Sequence, residues 1–311
     1  MNRAKAIGII IGGTKISVGV VSSDGTLESQ TQLRTNAEDG FTAAIKQIVE
    51  AIHGVSISSD LDLKEAAGVG VGCTGPVDPK TGRILTDFTL PGWGGGNIIT
   101  ELRNAVRLPV LVENDVDAAV VGEAFIGGKL HSGSVVLITL GTGVGGGVLI
   151  NGEIYRGSQG EHPEIGHIIV RNGGPECYCG GQGCLEMAAS GTAIEKAGRL
   201  IGLTSAPEVF ARANAGESEA KNVINQAIES VSVGIWTILH TFLPELIVLG
   251  GGIMDEHFHL FEPAIKGTLA KATMIPQDGV RLRKARVGND SGIIGAAVLA
   301  FRQNKTPDLR A

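Results

Sequence analysis

Ile138-Thr139-Leu140-Gly141-Thr142-Gly143-Val144-Gly145-Gly146-Gly147 is the stretch whose reading decides how this chain folds. Gly141, Gly143 and Gly146 match the G-x-G-x-x-G spacing of a dinucleotide-binding loop. That loop works only where a helix starts directly after the glycines, because the helix N-terminus meets the pyrophosphate. Here Val144–Ile150 continues as an apolar strand and ends at an Asn151-Gly152 turn, with no helix start. The glycines therefore turn one strand back into the next, and a Rossmann dehydrogenase is rejected. Ile9–Ile16 (IIIGGTKI) and Ile247–Ile253 (IVLGGGI) have the same design. In each, an apolar strand delivers a glycine turn whose bare N–H groups can surround anionic oxygens. With Thr14, Lys15 and Thr142 as further donors, three such turns in one chain point to nucleotide phosphates.

Working outward, Ala6–Ile11, Lys15–Val21 and Leu27–Leu33 read as three short strands, turned at Gly12-Gly13 and Ser23-Asp24-Gly25. Phe41–His53 has helical spacing. Ala67–Cys73 and Pro109–Glu113 read as buried Val-rich strands, and Asp115–Ile126 as a helix. The pattern then recurs. Ser134–Leu140 and Val144–Ile150 form a strand pair, followed by Glu153–Tyr155, helices around Thr192–Leu200 and Lys221–Phe242, a strand over Leu246–Leu249 and a final helix over Ile293–Phe301. Two halves, each opening on a glycine-turned hairpin, predict a duplicated α/β architecture with a cleft between lobes. The expected division is a smaller lobe of residues 1–115 plus 293–311 and a larger lobe of 116–292.

The 311 residues are enough for two such lobes, and the 47 glycines cluster in short motifs rather than in low-complexity runs. A net charge of −6 without any lysine or arginine run argues against a nucleic-acid surface. No apolar stretch approaches a membrane span. The N-terminal MNRAKAIGIIIGG lacks a secretory cleavage pattern, so a soluble cytoplasmic protein is expected.

A second stretch, His167 to Glu186, reads HIIVRNGGPECYCGGQGCLE. Cys177, Cys179 and Cys184 fall within eight residues and His167 lies ten residues upstream. Three thiolates and an imidazole make up a closed tetrahedral zinc site, which would be structural, because catalytic zinc keeps an open position. A disulfide or redox role is the alternative, and reduced thiols in a chain that is not secreted disfavour it. Carboxylates flank the cluster at Glu164 and Glu186. Cys73 stands apart as a buried small side chain.

Val110-Leu111-Val112-Glu113-Asn114-Asp115 places an Asn-Asp pair at the carboxyl end of a buried strand, where open α/β sheets bind ligands. Asp115 is suited to general-base work, and capping of the following helix is its competing structural role. Asp117, Glu123 and most other acids read as surface or helix groups.

Taken together, Gly12-Gly13-Thr14-Lys15, Glu113-Asn114-Asp115, Leu140–Gly147, Glu164-Ile165-Gly166-His167 and the Cys-x-Cys-Gly-x-x-Gly-Cys-x-Glu run resemble the ROK family. Its members include bacterial glucokinases, fructokinases, N-acetylhexosamine kinases and sugar-responsive repressors. The resemblance runs from about residue 6 to residue 301. It implies an actin-like, hexokinase-type (ribonuclease H-like) ATPase fold with two lobes around a central cleft, usually as a homodimer. It implies ATP, carried with Mg²⁺, held by Gly12, Gly13, Thr14, Lys15, Gly141, Thr142 and Gly143, with the adenosine side at Gly250 and Gly251. Gly75, Asn114, Asp115, Glu164, His167 and Glu186 would bind the sugar, and Asp115 would take the proton of a hexose hydroxyl, by default O6 of glucose. His167 would offer one ring nitrogen to zinc and the other to the sugar. The family's repressors carry a DNA-binding segment ahead of the first hairpin, and no such segment is expected here.

Ile10 departs from the pattern. The family's first strand ends Gly-x-Asp-x-Gly-Gly-Thr-Lys, and this chain has Ile10 where that aspartate helps to hold the magnesium. Isoleucine suits a buried strand but cannot coordinate a hard cation that wants oxygen. Three expectations follow: an ATP-dependent hexose kinase, variant or engineered, with chemistry impaired at Ile10, a natural kinase in which another carboxylate compensates, or a sugar-binding relative without catalysis. His162-Pro163 before Glu164 resembles fructokinase-type as well as glucokinase sequences, so fructose and mannose stay open beside glucose.

Overall fold

The computed structural model describes residues 3–276 and 279–303. Its first unit comprises Met1–Ser132, Asn151–His162 and Asn289–Ala311. Five strands form its sheet: β1 (Lys5–Ile11), β2 (Lys15–Ser22), β3 (Leu27–Arg34), β4 (Val69–Cys73) and β5 (Val110–Asn114), in the order β3-β2-β1-β4-β5. β1, β2 and β3 pair antiparallel as consecutive hairpins, whereas β4 and β5 run parallel to β1. A parallel pairing needs a crossover, and helices α1 (Phe41–Ser58) and α2 (Ile98–Val106) lie between those strands in sequence. β-Branched residues fill this sheet: Ile7, Ile9, Ile11, Ile16, Val18 and Val20 are buried in one cluster with Ile45, Ile48 and Ile52 of α1. Asn97 caps α2 by accepting from the Thr100 N–H at 2.9 Å.

Helix α3 (Asp115–Ala124) leaves β5 directly, and a short hairpin, β6 (Phe125–Ile126) with β7 (Lys129–Leu130), follows it. The sequence pattern ran the helix on to Ile126. Gly127 and Gly128, with φ of 56° and 82°, turn the chain instead and let Phe125 pair with Leu130.

The second unit comprises Gly133–Ile150 and Pro163–Gly288. The second five-stranded sheet takes β8 (Val135–Leu140), β9 (Val144–Ile150), β10 (Glu153–Ile154), β11 (Leu246–Gly250) and β12 (Arg281–Lys284), in the order β10-β9-β8-β11-β12. This repeats the first sheet's order strand for strand, as the duplicated pattern required. Leu140 pairs with Val144 across the glycine turn, so that turn is a hairpin and the Rossmann reading stays rejected. Around the sheet stand α4 (Leu185–Ala189), α5 (Gly191–Arg199), α6 (Ala206–Asn214), α7 (Ser218–Phe242) and α8 (Gly252–Lys271). Helix α8 gives little periodic signal in the sequence because it opens on glycines and carries Pro263 in its interior.

The last helix, α9 (Ser291–Gln303), returns to the first unit. A Cβ on Gly70 would lie 1.8 Å from the Ala296 carbonyl oxygen, and one on Gly295 would lie 1.7 Å from that of Ala118. Glycine alone permits α9 to touch β4 and α3 backbone to backbone. This packing corrects the expected lobe boundary: α3 and the segment to Ser132 belong with the first unit, not with residues 116–292.

Candidate functional site

In the first unit the Gly12-Gly13-Thr14-Lys15 turn is closed by the Gly12 N–H donating to the Lys15 carbonyl at 2.9 Å. Thr35 fixes it from outside, its hydroxyl donating to the Gly12 carbonyl at 2.6 Å. Gly13, Thr14 and Lys15 are exposed at the tip, as a phosphate loop requires. Ile10, one residue before the strand's end, is half-buried. A Cβ on Gly72 would lie 2.6 Å from its Cδ1, and a Cβ on Gly292 would lie 2.7 Å from it, so the isoleucine fills the space those glycines leave.

Asn114 ends β5 and caps α3, its side-chain oxygen accepting from the N–H groups of Val116 (2.9 Å) and Asp117 (3.3 Å). The cap is therefore Asn114, and Asp115 is the first residue of the helix. Its carboxylate accepts from the Val116 N–H at 3.0 Å and is half-buried. Beneath it, burial pushes the Cys73 thiol up, with the Asp115 charge adding to that, so this cysteine stays protonated and inert. Gly75 lies in the loop after β4 with φ of 79°, and a Cβ there would meet the Thr89 hydroxyl at 2.1 Å.

Asp117 and Glu123 are buried, not surface groups. Asp117 is paired: the Arg156 guanidinium donates to it at 2.9 Å and also pairs with Glu113. Sequence spacing gave no sign of this, because Arg156 is some forty residues away in the chain.

In the second unit the Gly141-Thr142-Gly143 turn is held at both carbonyls. The Gly191 N–H donates to the Gly141 carbonyl at 2.7 Å, and the Thr192 hydroxyl to that of Thr142 at 2.8 Å. Gly141 and Thr142 line a cavity of about 370 Å³ together with Thr192, Phe210, Gly252 and His257. Gly250 closes β11 and is buried, and Gly251 turns beneath the Leu140 carbonyl, so the lining passes to Gly252 and Ile253. Phe210 and His257 stack with centroids 3.8 Å apart and planes 12° from parallel. Burial lowers the His257 pKa. This aromatic wall was not expected from sequence, where Phe210 and His257 lie far apart.

The four candidate metal ligands converge. One ligand atom from each of His167, Cys177, Cys179 and Cys184 lies within 4.8 Å of every other. His167 Nδ1 is 3.4 Å from Cys177 Sγ, and Cys179 Sγ is 3.6 Å from Cys184 Sγ. Zinc–sulfur bonds near 2.3 Å give tetrahedral edges of about 3.8 Å, so the donor set fits a four-coordinate metal. The Gly181 N–H lowers the Cys179 pKa, whereas burial first, and its sulfur neighbours second, push Cys184 up to about 12.

Glu186 sits in the first turn of α4, two residues after Cys184, and accepts from the Val144 N–H at 2.9 Å. Tyr178, between two of the cysteines, meets the His167 ring edge-on at 5.1 Å; burial first, and then its hydrogen bond to the Glu186 carboxylate, push its pKa up. Glu164 is exposed, and its carbonyl accepts from the His167 N–H at 2.9 Å. The cysteine cluster, His167, Glu164 and Glu186 thus form one constellation within this unit, and Tyr178 is the member the sequence reading missed.

The chain is 32% identical to a glucokinase of Halalkalibacterium halodurans, with 96% of each chain covered. It superposes on the ROK hexokinase of Thermus thermophilus with a TM-score of 0.84 at 31% identity, covering 97% of this chain and 99% of that one. The ROK family glucokinase of Streptomyces griseus, solved in complex with glucose and AMPPNP, gives a TM-score of 0.76 at 31% identity, covering 96% and 100%. The fold is accordingly the actin-like, hexokinase-type α/β ATPase fold. The ROK family model matches residues 6–303, and the chain belongs to the ROK family.

Proposed function

We propose that the chain phosphorylates a hexose with ATP, glucose at its 6-hydroxyl being the first candidate. The observation that carries this reading is the end of β5. Asn114 takes over the capping of α3, and Asp115 is left at the head of the helix beside the strand's carboxyl end. Kinase relatives, one of them solved with glucose and AMPPNP, support it. In the reaction, the hexose hydroxyl oxygen forms a bond to the γ-phosphorus as the bond from that phosphorus to the β,γ-bridging oxygen breaks. The proton goes to the Asp115 carboxylate and ADP leaves with the electron pair.

Gly12, Gly13, Thr14 and Lys15, with Gly141, Thr142 and Gly143, present N–H, hydroxyl and ammonium donors to the phosphates. Gly252, Phe210 and His257 receive the nucleoside. Asn114, Glu164, His167, Glu186 and the Gly75 loop orient the sugar hydroxyls. His167, Cys177, Cys179 and Cys184 fit structural zinc, which when bound locks the loop that carries His167 and Glu186. Ligation through Nδ1 would leave the His167 Nε2 for the sugar. Magnesium would arrive with ATP. The first hairpin gives it hydrocarbon at Ile10 instead of a carboxylate, so the residues there do not fit it. A cytoplasmic homodimer completes the reading.

A coupled assay with ATP, Mg²⁺ and a panel of hexoses and N-acetylhexosamines tests it, with turnover on one of them expected. A second reading, sugar binding without catalysis, is favoured by one observation: Ile10 packed against Gly72 and Gly292. Glucose-induced thermal stabilisation without turnover would support that reading.

A further inference from the structure

Arg156 is drawn to the turn that carries Asp115, and neither the motifs nor the reaction above employs it. Glu113, Asp115 and Asp117 are three acids within five residues, at the end of β5 and the start of α3. Arg156 pairs with the outer two, donating from Nη1 to Asp117 at 2.9 Å and from Nη2 to Glu113. The Asp117 side chain is fully buried, and the side chains of Arg156 and Glu113 are about one-fifth exposed. An ionised carboxylate at that depth requires a partner, and a guanidinium holds two acceptors in fixed geometry where an ammonium does not. Burial lowers the Arg156 pKa.

Arg156 comes from the Asn151–His162 segment, which the chain interposes between β9 and Glu164 yet which belongs to the first unit. Arg302 ties the same segment down at its start, donating to the Gly152 carbonyl at 3.1 Å and pairing with Glu153. The segment is thus anchored at two points on the unit that carries Asp115.

We infer that Arg156 is a positioning residue for phosphoryl transfer: it straddles the Glu113–Asp117 turn, fixes the Asp115 carboxylate and offsets one of its two neighbours' negative charges. This rests on the kinase reading with Asp115 as base. The charge matters because the phosphoryl donor is itself an anion, and like charges in a partly desolvated site repel strongly. The geometry matters because a carboxylate displaced by about 1 Å costs on the order of a hundredfold in rate.

The test is steady-state kinetics on the whole chain for the wild type, Arg156→Ala, Arg156→Lys and the double variant Asp117→Asn/Arg156→Ala. Melting temperature and hexose-induced stabilisation are recorded alongside. Arg156→Ala is expected to lower kcat roughly a hundredfold while KM for the hexose stays within about threefold. Arg156→Lys, which keeps the charge and loses the fork, should fall between. The double variant, which also removes the buried charge that Arg156 had neutralised, should recover about tenfold over Arg156→Ala. A kcat for Arg156→Ala within about threefold of a turning-over wild type would overturn this role and leave the kinase reading standing. So would a loss of kcat that follows lost hexose stabilisation and is not restored in the double variant, since Arg156 would then only prop the fold. Absence of turnover by the wild type on every sugar removes the kinase reading itself, and this role with it.

Discussion

The two sheets have the same strand order and place the same kind of position before each glycine turn, yet fill it differently. In β1 the half-buried penultimate residue is Ile10, beside Gly72 on the parallel neighbour. In β8 it is Thr139, beside Gly250. A Cβ on Gly72 would lie 2.6 Å from Ile10, whereas one on Gly250 would lie 4.0 Å from Thr139. In the first sheet the penultimate side chain itself takes the space beside the glycine, whereas in the second Ala285 and Leu137 stand nearer to Gly250 than Thr139 does. The fifth strands differ as well. β5 runs into Glu113-Asn114-Asp115, whereas β12 is Arg281–Lys284, its last side chain donating to the Asp255 carbonyl at 2.5 Å. Duplication repeated the framework, and the side chains divided the chemistry. On the proposed reading the first unit would supply the proton acceptor, and the second the nucleoside pocket and the metal ligands.

Removing that acceptor gives the largest expected effect. Asp115→Asn keeps the size and the helix-start position, and should cut kcat by a factor on the order of 10²–10⁴ with hexose-induced stabilisation retained. An unchanged kcat would deprive the first unit of its distinguishing chemistry. Next comes the mismatch before the first turn. Ile10→Asp restores an oxygen ligand and should raise ATP-dependent sugar phosphorylation at least about tenfold. If the rate does not move, the contrast between Ile10 and Thr139 has no bearing on the reaction.

The sequence made most of this framework legible because its signals are local. Gly141-Thr142-Gly143 followed by an apolar strand and an Asn-Gly turn distinguishes a hairpin from a helix start, and the spacing of three cysteines and a histidine groups four candidate ligands. Asn114-Asp115 after a Val-rich run reads as a strand end, although which of the two caps the helix is settled only by hydrogen bonds. What could not be read depends on distant pairings. The Arg156 ion pairs, the Phe210–His257 stack and the return of α9 to β4 join residues with no common periodicity. The lobe boundary was misplaced for the same reason: Gly295 reveals its purpose only once Ala118 is seen against it.

A smaller effect is expected from the metal ligands, and it sharpens the division of labour within the second unit. Cys179→Ser or a strong chelator should weaken hexose binding several-fold by freeing the loop of His167 and Glu186. ATP binding at Gly141, Thr142 and Phe210 should change little, because that turn is held by Gly191 and Thr192. Calorimetric titration with each ligand separates the two. Equal weakening would make the metal a support for the whole unit.

The smallest expected effect concerns His257. Burial lowers its pKa, the Glu256 carboxylate opposes that shift and His259 adds to it. A histidine whose folded pKa lies below its unfolded value of about 6.5 is held neutral by the fold. Its contribution to stability is therefore complete above that pH and is lost as pH falls below it, because the unfolded chain takes up the proton first. Between pH 7.5 and 5 the wild type should lose more melting temperature than His257→Phe, which keeps a ring against Phe210 without a titrating nitrogen. A sensitivity to acid that His257→Phe shares in full would arise elsewhere, and the stacked wall would then be a packing element of the second unit with no proton-linked role.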